Sequence, residues 1–421
     1  MSINNEKDIG TFDRTEFEHL QSKHNFIIRF KTICDFYGGK GTFELIPPLN
    51  HDLIFLIRYH SIKLQASKNT SLSSLLENKL NLLFYDLLKK TIIPLKSNIN
   101  GVTIDEYITL IETLKALVQF TKKGLHVPWT NTFYSRLSFL MDNELEMKVR
   151  KMITEIMCKV SDYVSSINHQ VFCFEHHFIA HSSGCGFDNM ITVQIVKPKI
   201  VYILTQNGVR TAFRIIWHIP GFRFWEATVK SGYLHLSNID HNVPIPVYIQ
   251  SHALNRLTER LDLLDTYENQ LNLIQTLRHP VFIRVSKYNY LLEYRLWGKK
   301  VGYLSCEYCH GQLLVKTFLF LTNNGTPEGK KLYELTGLCK LDKKYLALDK
   351  MSCYINSDIS TNKTIESFFE HAGCASLIHL NDIISSECFE KSKHSIVSLI
   401  TNYIKKDEDL LGLFLKGNGE L

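Results

Sequence analysis

The spacing of apolar residues changes period along this chain, and that change constrains the fold more than any single motif. From about Ser71 to Gln170 the apolar positions recur at helical spacing. Between 190 and 250 the segments MITVQIVKPKIVYILTQ, VRTAFRIIWHI, RFWEATVK and YLHLSNI are rich in β-branched and aromatic residues, and Asn207-Gly208 is a hairpin signal between two of them. The period turns helical again over SHALNRLTERLDLLD, 251–265. There Leu254, Leu257, Leu261 and Leu264 make one apolar stripe, and Ser251 stands where a cap is expected. The Pro244–Pro246 stretch leads from the sheet into this helix. YENQLNLIQTLRH continues helical and is stopped by Pro280. Strands then resume with VFIRVSK, NYLLEYRLW, KVGYLSCEY and QLLVKTFLF, and Trp297-Gly298-Lys299-Lys300 and His310-Gly311 supply turns. Tyr290, Leu292, Tyr294 and Leu296 alternate with Leu291, Glu293 and Arg295, so one face is apolar and the other carries charge.

The fold class that follows is α+β, with an N-terminal helical domain, a central antiparallel sheet containing a helix-then-meander module, and a C-terminal helical cap. The expected division is 1–170 as a helical interaction or regulatory domain, 171–350 as a basic α+β domain with the module at 245–325, and 351–421 as the cap. A chain of 421 residues is longer than one core usually serves. With 45% hydrophobic and 21% charged residues, wholesale disorder is excluded. No window approaches a membrane-spanning apolar run, so no membrane partner is expected. MSINNEKDIGTFDRTEFEHL lacks the apolar core of a signal peptide. Ten cysteines without that signal read as reduced thiols, and the expected location is cytoplasmic.

The net charge of +6 is uneven. Residues 251–350 hold fifteen Lys and Arg against ten Asp and Glu, and 171–250 hold six against four. A basic middle points to an anionic partner, although a solvated surface explains the same excess.

The helical part offers no catalytic spacing. SLSSLLENKLNLLFYDLLKKTIIPL has leucines at helical intervals, TIDEYITLIETLKALVQFTKKG pairs a start signal at Thr103 with a stop at Gly124, and a third run extends from Thr132 through LEMKVRKMITEIMCKVSDYVSSI. Residues 1–60 hold short apolar runs that fit strands or buried helices equally. GGKG at 38–41 lacks the leading glycine and the following Ser or Thr of a phosphate loop and reads as a turn. In FCFEHHFIAHSSGCGFD, 172–188, His177 and His181 would share a helix face, with Cys173, Cys185 and Asp188 nearby. The segment has neither the Glu of HExxH nor a CxxC. CEYCH at 306–310 matches a haem-attachment pattern, but that chemistry belongs outside the cytoplasm, and zinc would need a second ligand pair. No metal and no cofactor are expected.

Chemistry concentrates on the 251–265 helix. His252, Arg256, Glu259 and Arg260 fall opposite the leucine stripe. Two arginines four apart repel each other, Glu259 relieves part of that, and a phosphate would relieve more. An imidazole beside it has the pKa to move a proton. The plain alternative is a solvated helix face.

The His-x3-Arg-x3-Arg helix (His252, Arg256, Arg260) precedes a four-strand meander whose last strand ends Val-Lys-Thr-Phe-Leu, 315–319. This combination resembles the small toxin ribonucleases of the barnase–EndoU–colicin–RelE class, in particular those with an SxHAxxRxxER helix and a terminal KT strand. The resemblance covers about residues 245–325. The long insert after the helix, the tail NNGTPEGKKLYELTGL and the helical remainder depart from it. The resemblance implies metal-free RNA cleavage by attack of a 2′-hydroxyl on the adjacent phosphate. In that scheme His252 is the acid or base, Arg256, Arg260 and Lys316 hold the phosphate, and Thr317 adds a hydrogen bond. Glu293, Arg295 and Tyr303 bind substrate in a secondary role, and tyrosines of the meander stack bases. For Lys316 and Thr317 an ordinary strand edge is the competing account. The resulting expectation is an endoribonuclease effector of a toxin or anti-phage defence system, acting on RNA and restrained or triggered by a regulatory or inhibitory protein at its helical ends. The alternative is a non-catalytic nucleic-acid-binding or scaffold subunit of a larger complex.

Overall fold

The computed structural model describes residues 10–68, 70–93, 101–117, 128–138, 143–180, 187–205, 208–219, 223–236, 239–355, 357–382 and 400. They divide into two units. The first comprises Met1–Ser161, Phe172–Ile195 and Ile219–Arg223, and the second Asp162–Val171, Val196–His218 and Phe224–Leu421.

In the first unit the ambiguous runs of residues 1–60 are helical. Helix α1 spans Gly10–Gly38 and α2 spans His51–Leu56. A short strand, β1 (Lys63–Ala66), leads to α3 (Ser74–Lys90), whose first turn is capped by the Ser73 hydroxyl accepting from Leu76 N. Leu80, Phe84 and Leu88, four apart, form its buried edge. The start signal at Thr103 is a capping box: its hydroxyl accepts from Glu106 N, and the Glu106 carboxylate accepts from Thr103 N. The helix that it opens, α4 (Ile104–Glu106), passes into a π-helical turn over Tyr107–Ile111. The Gly124 stop lies outside the described residues. The third helical run is two helices, α5 (Pro128–Leu137) and α6 (Asn143–Val164). Strands β2 (Val171–Ala180) and β3 (Phe187–Val196) follow, with β3 between β1 and β2 and parallel to β1.

The second unit is built on one eight-stranded sheet. Its strands are β4 (Ile200–Thr205), β5 (Gly208–Arg214), β6 (Thr228–Lys230), β7 (Pro244–Gln250), β8 (Phe282–Arg284), β9 (Asn289–Leu296), β10 (Lys299–Cys309) and β11 (Gln312–Phe320). Their order is β8-β9-β10-β11-β7-β5-β4, with β6 also paired to β7. The expected hairpins form. β4 and β5 pair antiparallel ahead of and behind Asn207, and both later turns adopt left-handed backbone, at Trp297-Gly298 (φ 46° and 84°) and His310-Gly311 (φ 48° and 75°).

Two expectations need correction. The Pro244–Pro246 stretch is not a connector but the start of β7, a central strand whose Ile245, Val247 and Ile249 are buried. Its prolines face only the short β6, and pairing to β11, parallel, begins at Val247. A Pro has no N–H for a ladder, so it is tolerated only there. The 251–265 helix also stops early. Helix α7 runs Ser251–Arg260, its N-cap is Gln250 without a side-chain bond, and Ser251 does not cap it. Asp265 instead opens a second helix, α8 (Thr266–Arg278), through a reciprocal capping box with Glu268. That local signal outcompetes continuation, while Leu261 and Leu264 stay buried in the turn between.

Side-chain alternation sets the layers. Ala253 and Leu257 of α7, with Leu261 just after it, share one core with Val247, Ile249, Leu313 and Val315. Tyr294, on the same side, donates from its hydroxyl to the Asn269 carbonyl of α8. Tyr248 and Leu314, one residue out of phase, pack with Ile203 and Ala212 on the other side. The chain then returns to helix: α9 (Pro327–Thr336), α10 (Lys340–Tyr345), α11 (Lys363–His371) and α12 (Ala375–Ile378). Tyr303, which faces away from α8, meets this cap at Glu328, and Ser376 donates to the Lys300 carbonyl.

Candidate functional site

The residues singled out from the sequence fall into three clusters of the second unit. On α7, His252 is exposed at the first turn and Arg256 lies one turn on, ion-paired to Glu259. Arg260 turns away from solvent to a tight ion pair with Asp349, the two side chains being 13% and 10% exposed, and approaches Glu259 at 3.6 Å. Burial raises the Asp349 carboxyl above its ordinary range even though Arg260 pulls the other way. Arg260 therefore holds the 346–354 loop against α7.

The second cluster holds Lys316 and Thr317. The Lys316 ammonium bonds Glu307 Oε2 at 2.9 Å and Asn289 Oδ1 at 3.2 Å. Glu307 is opposite Leu314 in register, so this trio lies on the Leu314 side of the sheet. Helix α7 covers the Val315 side. The sheet thus stands between Lys316 and His252, and the structure does not bring them into one cleft. Thr317 is half-buried opposite Ser305, beyond a register shift in the β10–β11 pair.

Glu293, Arg295 and Tyr303 do meet one another, through two residues that the sequence did not single out. Arg295 pairs with Glu293 at 2.6 Å, and Lys300 reaches Glu328 at 2.6 Å, the Tyr303 hydroxyl at 3.2 Å and Glu293 at 3.7 Å. Tyr303 donates to the same Glu328 oxygen at 2.9 Å. Burial pushes the Tyr303 phenol up to about 12. Burial alone would lower the Lys300 ammonium, but its bonds to Glu328 and Tyr303 outweigh that and raise it. This network joins the sheet to α9. No spacing in the sequence marked it, because Glu328 comes from a helix 25 residues later than Tyr303.

The metal and haem motifs separate on the same grounds. His177 lies on strand β2, not on a helix, and pairs with Glu175 at 3.3 Å; His181 and Cys185 lie outside the described residues. Cys306 is buried on the α7–α8 side, and Cys309 packs beside Leu314 on the other, so the two thiols of CEYCH point apart. Among the described residues no group of three or more His, Cys, Asp or Glu is placed to hold a metal ion.

The surface with the clearest chemical character lies on α9 and α10. Thr326 caps α9 by accepting from Gly329 N, Pro327 fills its first turn, and Gly337 (φ 71°) ends it. Cys339 and Asp342 then open α10. Leu332, Thr336 and Leu346 face inward. Outward go Lys330, Lys331 and Tyr333 on α9, and Lys340, Leu341, Lys344 and Tyr345 on α10. Lys343 alone of these lysines is buried, donating to Asn324 Oδ1 at 2.6 Å and the Gly329 carbonyl at 2.7 Å. It ties α10 to the start of α9. Between Lys330 and Tyr345 there are five lysines against two carboxylates, Glu334 and Asp342. Glu334 lies 4.0 Å from Lys330, and Asp342 is engaged as a cap. The sheet edge has a different character. On β4, Ile200, Tyr202 and Leu204 alternate toward one face, Tyr202 76% and Leu204 71% exposed, and among the described residues β4 pairs only β5.

No protein-family model, no curated protein and no solved structure matches this chain. No helix among the described residues is long and apolar enough to cross a membrane.

Proposed function

We propose that this protein is a non-catalytic nucleic-acid-binding subunit of a larger complex, and that it grips single-stranded RNA through the outer face of α9 and α10. The observation that carries the reading is the set of four outward lysines interleaved with Tyr333 and Tyr345 on two consecutive helices. Lysines replace the counterions of a phosphate backbone, and exposed phenol rings offer stacking faces to unpaired bases. The edge strand β4 supports membership of an assembly, since an apolar edge without charge or proline is one that another chain can cover. The ribonuclease reading keeps its support from the order of helix and meander, but His252 and Lys316 lie on opposite sides of the sheet.

The test is binding of labelled single-stranded RNA across a salt series. The Lys330→Glu, Lys331→Glu, Lys340→Glu, Lys344→Glu variant should bind at least about tenfold more weakly, with a shallower dependence on salt. Equal affinity and equal slope would remove the reading. The same mixtures are read for cleavage. Products with cyclic phosphate ends that vanish in His252→Ala would put the endoribonuclease, and with it a toxin or defence role, in its place.

A further inference from the structure

The first unit contains a cavity of about 550 Å³, walled by α1, the end of α2 with the residues after it, and the turn that begins at Asp105. Its volume is in the range of small-molecule sites. Two of the charged residues that line it, the half-buried Arg58 and the buried Asp105, have no opposite charge as a partner among the described residues. Arg58 lies flat on the Phe55 ring, 3.6 Å from its centroid, and donates to the Phe55 carbonyl. It makes no ion pair among the described residues, and burial lowers its pKa with no neighbouring charge opposing the shift. Asp105 is 5% exposed, and its carboxylate has no hydrogen bond or ion pair among the described residues. The nearby Arg29 is drawn off to Glu106 at 2.8 Å. Phe26, packed edge-on against Phe55 with centroids 5.7 Å apart, adds an apolar wall.

Taking a charge out of water without a counter-charge is costly, and a cavity beside it is where the counter-charge can come from. A pure anion would answer Arg58 and be repelled by Asp105. A pure cation would meet the reverse. We infer that this cavity binds a small zwitterion of amino-acid size, its carboxylate on Arg58, its ammonium on Asp105 and its apolar side chain against Phe26 and Phe55. The site is separate from the RNA-binding face proposed above and does not depend on it.

The experiment is isothermal titration of the full chain with L-phenylalanine and with its two halves, phenethylamine and 3-phenylpropanoate. L-phenylalanine should bind saturably, and each half at least about tenfold more weakly, since one bidentate or charge-assisted contact is lost in each. Arg58→Met should bring L-phenylalanine down to the level of phenethylamine, and Asp105→Asn to that of 3-phenylpropanoate, with circular dichroism confirming that both variants fold. Absence of saturable binding by L-phenylalanine, equal binding of the three compounds, or a folded variant that binds as the wild type does would each overturn the inference. Should a variant not fold, the comparison of the three compounds on the wild type decides by itself.

Discussion

The two units differ in what some of their charged side chains face. In the second, Arg260 meets Asp349, Lys300 meets Glu328 and Lys316 meets Glu307, each ammonium or guanidinium finding a carboxylate from another element. In the first, Lys115 is likewise paired with Glu112 at 3.0 Å, but Arg58 and Asp105 line a void with no such partner among the described residues. The same residue types therefore serve different ends. Where an opposite charge fills the space, the pair fastens elements together; where space is left open, the charges face whatever enters it. Of the residues with the most catalytic spacing in the sequence, Arg260 and Lys316 are thus fasteners, whereas the charges open to a ligand follow α2 or sit in the turn that Thr103 caps.

The largest effect is expected at Arg260. Arg260→Met leaves Asp349 buried without its partner and should destabilise the fold by about 3–5 kcal/mol, read from the denaturant midpoint. Asp349→Leu in the same chain should recover much of that loss. A midpoint for Arg260→Met within error of the wild type would show the pair to be incidental.

Lys343 is the exception in the second unit, buried with only uncharged acceptors. Burial pushes its ammonium down to about 8, from 10.5 when exposed. The unfolded chain then holds more protons than the folded one between those values, so this group makes stability rise as pH goes from 8 to 10.5. Its contribution is isolated by comparing wild type with Lys343→Met. The difference in stability should move toward the wild type across that window, and a constant difference would contradict it.

The smallest effect is expected at Arg58. Removing a cation that has no carboxylate partner leaves nothing stranded, so Arg58→Met should change stability by no more than about 1 kcal/mol in either direction. A loss comparable to that of Arg260→Met would mean that Arg58 is a fastener too.

Much of the local structure was legible in the residues. The capping box at Thr103, the hairpins at Trp297-Gly298 and His310-Gly311, and the short helix ending at Gly337 follow from chemistry confined to a few neighbours. Errors arose where two local signals competed. Asp265-Thr-Tyr-Glu268 opened a new helix where the leucine stripe suggested one continuous helix, and Pro244 and Pro246 masked a central strand because their missing N–H groups happen to face a short neighbour. The candidate site was less legible. Spacing grouped His252, Arg256 and Arg260 on one polar face, yet it could not say that Arg260 would turn from solvent to Asp349.

Residue order along the chain sets the periods, turns and caps, and therefore which residues share a face of their own helix or strand. Which layer covers each face depends on how the elements stack. The parallel pairing of β7 with β11 put α7 on one side of the sheet and Lys316 on the other. Periodicity is a property of one element, whereas the meeting of charges depends on how distant elements stack, and no spacing along a single strand or helix encodes that.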